Sequence, residues 1–507
     1  MDHQAPYLLG IDFGTTHCKA GLFSMDGSPV RLAARPTPVS RTSQEAAEAV
    51  MNPGQVWESL SAALAEVLEA CGPEQVAAVG IAGMAETGLL LDRGTGEART
   101  PFYPWFDKSA APQAERLAGA DDPVERFRKT GVRPSFKASL ARLLALQEHR
   151  PQLLEGAVWL GAAEWAAYRL TGQIRTEYSL AGRTYAFDIG EKAWDAGWLL
   201  ALGLSAEFFP PAAPAVEQMG ETSGAALHGI RRLRAGLPVF IAGHDHLAAA
   251  FAAGALEPAE AFDSMGTAEA LLGPLDERRL GAADYEAGLS YGCHCLPGRL
   301  YWMGGLSASG GSVEWLRRLL AENGGGEISY NRIEALVETR SPSPGGILYF
   351  PYLSGSGSPH TDPALRAAFA GLDASHTLAD LLKAVLEGTA YELEVIRRAG
   401  EAAAGRPITR LAVAGGGARS RAWLQIKADV SGAVLEAPQM PEATLLGAAM
   451  MAGLGSGLYQ DEKEAARAVS GQPRRVLRPR MEVHREYIRR FEAGYLALQP
   501  LLRRIRW

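Results

Sequence analysis

Cysteine is scarce: Cys18, Cys71, Cys293 and Cys295 are the only four in a chain of 507 residues. That excludes a disulfide framework and fits a reducing compartment. No stretch approaches the roughly 18 uncharged apolar residues of a membrane span. The first residues offer neither a basic segment nor a long apolar one, so no secretory leader and no membrane partner are expected, and the expected location is the cytoplasm. Excess positive charge is missing too. Fifty Lys and Arg against 57 Asp and Glu leave a net charge of −7, which argues against a nucleic-acid partner. The one basic cluster, Arg503, Arg504 and Arg506, reads as the polar side of an amphipathic helix that buries Tyr487, Phe491, Tyr495 and Leu498.

What is present is an ordinary globular composition, 47% hydrophobic and 21% charged, in a chain too long for one core. Two domains of about 200–250 residues are expected, residues 1–250 and 251–507, with the boundary between Leu247 and Pro258. The start reads as three strands, YLLGID, CKAGLF and PVRLAA. A helix follows, opened by Asn52-Pro53 and carrying a stripe of Trp57, Leu60, Leu64, Val67 and Leu68. VAAVGIAG and GLLLD are the next strands. Helical patterning dominates from Ala138 to Leu170. Farther on, LPVFIAGHDH reads as a strand running into a polar tip, AAAFAAGAL as a small-residue helix, and LAVAGGGARS as a strand ending on a glycine-rich turn before another helix. The alternation makes the class α/β, and the βββαβ start is not a Rossmann start.

Two Gly-Thr turns stand out, Asp12-Phe13-Gly14-Thr15-Thr16 and Asp263-Ser264-Met265-Gly266-Thr267. Each follows an apolar strand and reads as a hairpin tip. Glycine lets backbone N–H groups approach an anion, and threonine adds a hydroxyl donor. Two such turns facing one another suit the polyphosphate of a nucleotide. This strand–Gly-Thr–strand unit is the one internal echo in the sequence, too short to establish a duplication.

Asp12, at a strand end beside the first turn, suits Mg2+, which takes one or two carboxylates and keeps much of its water; a turn-capping aspartate is the alternative. Lys19, on the strand leaving that turn, either reaches phosphates or is solvated. Asp245, in Gly243-His244-Asp245-His246, closes an apolar strand where α/β proteins place ligands. A carboxylate there suits general-base work on a hydroxyl attacking a γ-phosphate. Chelation of a metal by His244, Asp245 and His246 is the competing reading, weakened because strand alternation sends Asp245 to the opposite face from the two histidines. Cys293-His294-Cys295 lacks paired C-x-x-C spacing and reads as buried structural thiols. Gly415-Gly416-Gly417, before Ala418-Arg419-Ser420, opens a helix and suits a purine or ribose. Glu86, on the loop Met84-Ala85-Glu86, and Asp107 are acceptors for substrate hydroxyls. Trp105 is either an aromatic face for a sugar or a core side chain.

With these residues in hand, the chain resembles the FGGY carbohydrate kinases, the group that includes glycerol kinase and xylulokinase. The resemblance runs from about Leu8 to about Leu458. It rests on GIDFGTTHCKAGLF, GIAGMAETGLLLD, PWFD, SLAGRTYAFDI, IAGHDHLAAA, SMGTAEALL, LEGTAYELE, LAVAGGGARSRAWLQIKADVSG and PEATLLGAAMMAG in order. It implies a two-domain actin-like (ribonuclease H-like) ATPase fold with the active site in the interdomain cleft, a sugar or polyol substrate, and ATP with Mg2+ as cofactors. A homodimer is a further expectation. By resemblance, Asp12 and Asp245 are the metal-associated acids and Asp245 is the general base. Thr15, Thr16 and Lys19, with Gly266 and Thr267, serve the phosphates. Gly310, Gly311, Gly416, Gly417 and Ser420 serve the nucleotide. Ala85, Glu86, Trp105, Asp107, Asp245 and His246 face the substrate.

The chain departs from the resemblance on the sugar side. Glycerol kinases read Gln-Arg-Glu, and xylulokinases Gln-Met-His, where this chain has Met84-Ala85-Glu86. Lys108 follows Trp105-Phe106-Asp107 where the family has arginine. A nucleotide-switched binding protein on the same fold is the alternative, one that has no need of a base at Asp245.

Overall fold

The computed structural model describes residues 6–41, 48–224, 230, 232–322, 328–440, 442–471 and 473–505; Pro441 and Arg506 fall outside them. Strands β1 (Tyr7–Phe13), β2 (His17–Phe23) and β3 (Pro29–Pro36) form an antiparallel meander. Asn52 caps helix α1 (Pro53–Leu68) by accepting the Gln55 N–H, and Pro53 takes the first turn, where its missing N–H costs nothing. The helix buries Val56, Leu60, Leu64 and Val67 against β2 and β3, each worth about 1.5–3 kcal/mol of transfer free energy.

Strand β4 (Val76–Gly83) lies parallel to β1. Strand β5 (Gly88–Asp92) pairs instead with β6 (Ala157–Gly161), which leads into helix α2 (Ala162–Thr171). Strand β6 interrupts a stretch expected to be helical; its five residues are apolar almost throughout, so no period distinguishes strand from helix. Strand β7 (Pro238–His244) runs parallel to β4 and passes directly into helix α3 (Asp245–Ala253). A short edge pair, Gly220–Glu221, completes a six-stranded sheet.

The second sheet has seven strands. In chain order these are β8 (Glu260–Met265), β9 (Glu269–Asp276), β10 (Ser290–Cys293), β11 (Arg299–Leu306), β12 (Arg410–Ala414), β13 (Val434–Pro438) and, after helix α7 below, β14 (Arg474–Leu477). Helices α4 (Gly310–Leu320) and α5 (Leu378–Ala404) separate β11 from β12, and α6 (Arg421–Ser431) links β12 to β13. Strands β8, β9 and β11 form an antiparallel meander with β12 and β13 parallel alongside. That repeats the scheme of β1, β2, β3, β4 and β7, so the topology is duplicated although only the Gly-Thr turns echo in sequence.

The helix that follows the last parallel strand in each half is the joint between them. Helix α7 (Ala443–Gly455) follows β13 as α3 follows β7. The two pack face to face, and α7 also lies on β1 and β4 of the first sheet. Glycine makes this possible: a Cβ on Gly447 would stand 1.8 Å from the Ala248 carbonyl oxygen, and one on Gly80 would stand 1.8 Å from that of Ala448. Strands β1 and β4 are thus covered on both faces, which is why they read as continuous apolar runs. At the C-terminus, Tyr487, Phe491 and Tyr495 are buried as expected, with a π-helical turn over Phe491–Tyr495. Among the described residues no helix is long and apolar enough to cross a membrane.

Candidate active site

Asp12 is the penultimate residue of β1, directly opposite Lys19 of β2 in the antiparallel register. The turn between them closes through the Gly14 N–H to the His17 carbonyl, and Thr37 donates to the Gly14 carbonyl at 2.8 Å. Asp12 is buried, and its Oδ1 has no hydrogen-bond partner. Burial, then the Asp245 charge, pushes its pKa up to about 8, with Lys19 opposing and Glu442 adding to the rise. Lys19 itself donates to Glu442 at 2.7 Å. Glu442, immediately before α7, is a site residue that sequence reasoning missed. Asp12, Asp245 and Glu442 therefore gather around one lysine, a carboxyl-rich cluster of hard oxygen atoms suited to a divalent cation.

Asp245 is aimed by a bulge. The β7–β4 register shifts between Ile241 and Gly243, and Gly243 takes φ 90°. A Cβ on Gly243 would lie 2.5 Å from Ser179 Oγ. Bulges re-aim side chains beside active sites. Buried Glu177 accepts from the Ser179 hydroxyl at 2.5 Å, and Ser179 Oγ accepts the His244 N–H at 3.0 Å, which fixes the strand end. Asp245 then starts α3, where the helix dipole favours its charge, and accepts the His246 N–H at 2.7 Å. His244 Nε2 lies 3.2 Å from Asp245 Oδ1. Burial, with His246 and Arg183 nearby, lowers the His244 pKa well below the ordinary imidazole value.

The strand-alternation argument against chelation fails here, because Asp245 is helical. One ligand atom from each of His244, Asp245 and His246 lies within 4.8 Å of the others.

Glu86 pairs with Arg183, accepting from Nη2 at 2.6 Å and from Nε at 3.0 Å. The Arg183 guanidinium also sits against the Tyr301 hydroxyl, which β11 brings from the second sheet. Arg183 and Tyr301 act on one another, while His244 Nδ1 is buried without a hydrogen-bond partner among the described residues. Such orphans are rare unless something outside the protein satisfies them. Neither Arg183 nor Tyr301 was singled out in the sequence; a lone arginine 97 positions from its partner leaves no local signal.

Other expected site residues are placed differently. Asp107 is buried beneath the surface, ion-paired to Arg142 and accepting from the Ser109 hydroxyl at 2.9 Å and the Ala49 N–H at 3.1 Å. Its oxygens are satisfied inside the fold, so the expectation that it receives substrate hydroxyls is corrected. Ala85 is buried and lines a cavity of about 20 Å3 with Glu86, Glu164 and Thr176. Trp105 Nε1 donates to Thr15 Oγ1 at 2.9 Å, and Thr15 in turn donates to Met84 Sδ at 3.5 Å. Trp105 thus braces the first turn and occupies the Thr15 hydroxyl, while Thr16 is exposed.

The second turn is exposed at Gly266 and Thr267. The Gly310 N–H donates to the Gly266 carbonyl at 3.1 Å and the Gly311 N–H to the Thr267 carbonyl at 3.0 Å. Those donors are therefore committed to holding the turn rather than to a nucleotide. Gly415 adopts φ 99° and approaches the Met265 carbonyl so closely that a Cβ would stand 2.5 Å from its oxygen. This brings the triple glycine against the second turn, and Gly416 has open space around it. Ser420 caps α6 by accepting the Trp423 N–H at 3.3 Å. Beneath the turn, Lys427 donates to Asp263 at 2.8 Å and to Glu269 at 2.5 Å, tying the two strands that flank it. Cys293, His294 and Cys295 are buried, as expected of structural groups.

The N-terminal domain profile of the FGGY family of carbohydrate kinases matches residues 7–252, and the C-terminal domain profile matches residues 264–456. The chain belongs to the FGGY family of carbohydrate kinases. The FGGY relatives include a xylulose kinase from Bacillus subtilis (strain 168), 29% identical over 473 residues covering 91% of this chain and 90% of that one. A glycerol kinase from Citrifermentans bemidjiense is 32% identical over 503 residues, covering 94% and 97%. Among solved structures, a xylulose kinase from Rhodospirillum rubrum superposes with a TM-score of 0.87 at 25% identity, covering 98% of this chain and all of that one. The FGGY fold is the two-domain actin-like one, and the chain is a carbohydrate kinase.

Proposed function

We propose that this FGGY kinase transfers the γ-phosphoryl group of ATP to a hydroxyl of a small neutral sugar or polyol in the cytoplasm, with Asp245 as general base. The observation that carries the reading is the polar group beside His244 and Asp245: the Arg183 guanidinium against the Tyr301 hydroxyl, and His244 with its Nδ1 buried and unpartnered among the described residues. Together they offer donors and acceptors for a polyhydroxyl ligand, with Glu86 held beside them by Arg183. A regulatory nucleotide switch has no use for such a cluster.

In the proposed reaction the substrate O–H bond breaks toward an Asp245 oxygen, the new O–P bond forms, and the bond from the γ-phosphorus to the bridging oxygen breaks to release ADP. The carboxylate suits this loose transfer because the hydroxyl yields its proton late. The exposed turn at Gly266 and Thr267, with Gly416 and Gly417 beside it, faces the nucleotide; Thr16 and Lys19 serve the phosphates from the other half. Asp12 fits Mg2+, since its orphaned buried oxygen and the neighbouring Asp245 and Glu442 supply hard oxygen ligands. The bound ion would neutralise charge on the phosphate oxygens.

A coupled ADP-release screen over tetritols, pentitols, pentuloses, hexuloses and heptuloses tests the reading. At least one class is expected to raise ADP release far above the rate with ATP alone. ATP turnover indifferent to every polyol and sugar would overturn it.

A further inference from the structure

We propose that His244, Asp245 and His246 form a site for a borderline transition-metal cation such as Zn2+, which shares Asp245 with the Mg2+ that accompanies ATP but is set apart from it by two imidazole ligands. The three side chains converge because the strand-to-helix junction falls between His244 and Asp245. His244 is the last residue of β7 and keeps its extended geometry; Asp245 and His246 open the first turn of α3. One ligand atom from each lies within 4.8 Å of the others, and the two imidazole rings stand 5.2 Å apart, edge to face. His244 is 93% buried, with its Nδ1 unpartnered among the described residues, while the Asp245 side chain is 26% exposed. The site is thus rigid on one side and open to solvent on the other.

The donor set selects the ion. Two imidazoles and one carboxylate suit Zn2+, Co2+, Ni2+ or Fe2+, whereas Mg2+ prefers oxygen ligands and gives up its water reluctantly. Binding affinity therefore follows the transition-metal order, and excess Mg2+ does not displace the ion. The ion engages the Asp245 carboxylate, so under the kinase reading it competes with the substrate hydroxyl. Metal binding itself does not depend on that reading.

The test uses the full chain and needs no substrate. Co2+ is titrated in the presence of millimolar Mg2+, followed by visible d–d absorption, and Zn2+ is then added. The expected result is a Co2+ spectrum of low coordination number, abolished by Zn2+ and untouched by Mg2+. His246→Gln is expected to weaken Zn2+ binding by calorimetry by more than the ~10–100-fold typical of losing an outer-shell partner. Asp245→Asn provides a second variant, with thermal melts verifying that both are folded. Absence of the Co2+ band, displacement by Mg2+, or Zn2+ affinity unchanged in both variants would overturn the proposal. A failed sugar screen with intact Zn2+ binding would overturn the kinase reading alone.

Discussion

Glu86 holds φ 63° while its carboxylate clamps two nitrogens of Arg183. A left-handed backbone at a non-glycine residue costs about 1–3 kcal/mol and persists only where its surroundings hold it. Here the ion pair, with side chains 14% and 11% exposed, supplies that hold and keeps the Arg183 guanidinium beside Tyr301. Glu86→Gln and Arg183→Met are each expected to raise KM for the hydroxyl substrate about tenfold or more while leaving the KM for ATP near normal. The double variant is expected to fall short of the sum by about 0.5–3 kcal/mol. Steady-state kinetics on the four proteins of the cycle measure this.

Asp245→Asn is expected to keep nucleotide binding and lose turnover by ~10²–10⁴-fold, the usual cost of a missing general base. Calorimetric ADP binding alongside a kinetic assay separates the two. Near-normal turnover would remove Asp245 from the role.

Asp12 links cation binding to pH. With its pKa raised from 3.8 to about 8, chiefly by burial and then by Asp245, it is protonated at neutral pH when no cation is bound. Cation binding must expel that proton, so Mg2+·ATP affinity is expected to fall about tenfold per pH unit below ~8. Titrations at pH 7 in buffers of different ionisation enthalpy are expected to report proton release, and Asp12→Asn to abolish it. The folded pKa lies above the ordinary one, so this group's contribution to the stability of the cation-free protein is complete at acid pH and declines as pH rises from about 4 toward 8. Thermal melts across that range check the sign.

Lys427 stands between Asp263 and Glu269, all three buried. Burial and the Glu269 charge push Asp263 up, and Lys427 pulls it back. Burial works against the charged lysine, but the two acids more than compensate. Lys427→Met would leave two buried carboxylates without their counter-charge, a loss of about 3–5 kcal/mol. Denaturant unfolding reads the destabilisation.

The legible parts of this fold are those where local pattern and tertiary role coincide. The β1–β2 hairpin shows its turn residues, and α1 shows its cap, its proline and its apolar stripe. Strand β6 was hidden because Ala157–Gly161 is apolar throughout and abuts a helix. The duplicated topology was hidden because α3 and α7 share little beyond small residues, and their equivalence lies in connection rather than letters. At the candidate site, Asp12 and Asp245 drew notice because each lies within a residue of the end of an apolar strand. Glu442 did not, since an acid before an apolar helix reads as an ordinary cap. Asp107 misled because an aspartate after tryptophan looks the same whether it meets a sugar or Arg142. For the triplet, strand alternation was the wrong premise, because the strand stops at His244 and α3 begins at Asp245.

Helix α7 makes linear order a poor guide to where this chain can be cut. A fragment ending near residue 250 would leave Gly10 and Gly80 as bare backbone, exposed to water in the hollow that Leu445 and Ala448 fill. The remainder would carry an oily rod with no sheet beneath it. Neither piece is expected to fold by itself, and two plasmids encoding them should yield soluble protein only when expressed together.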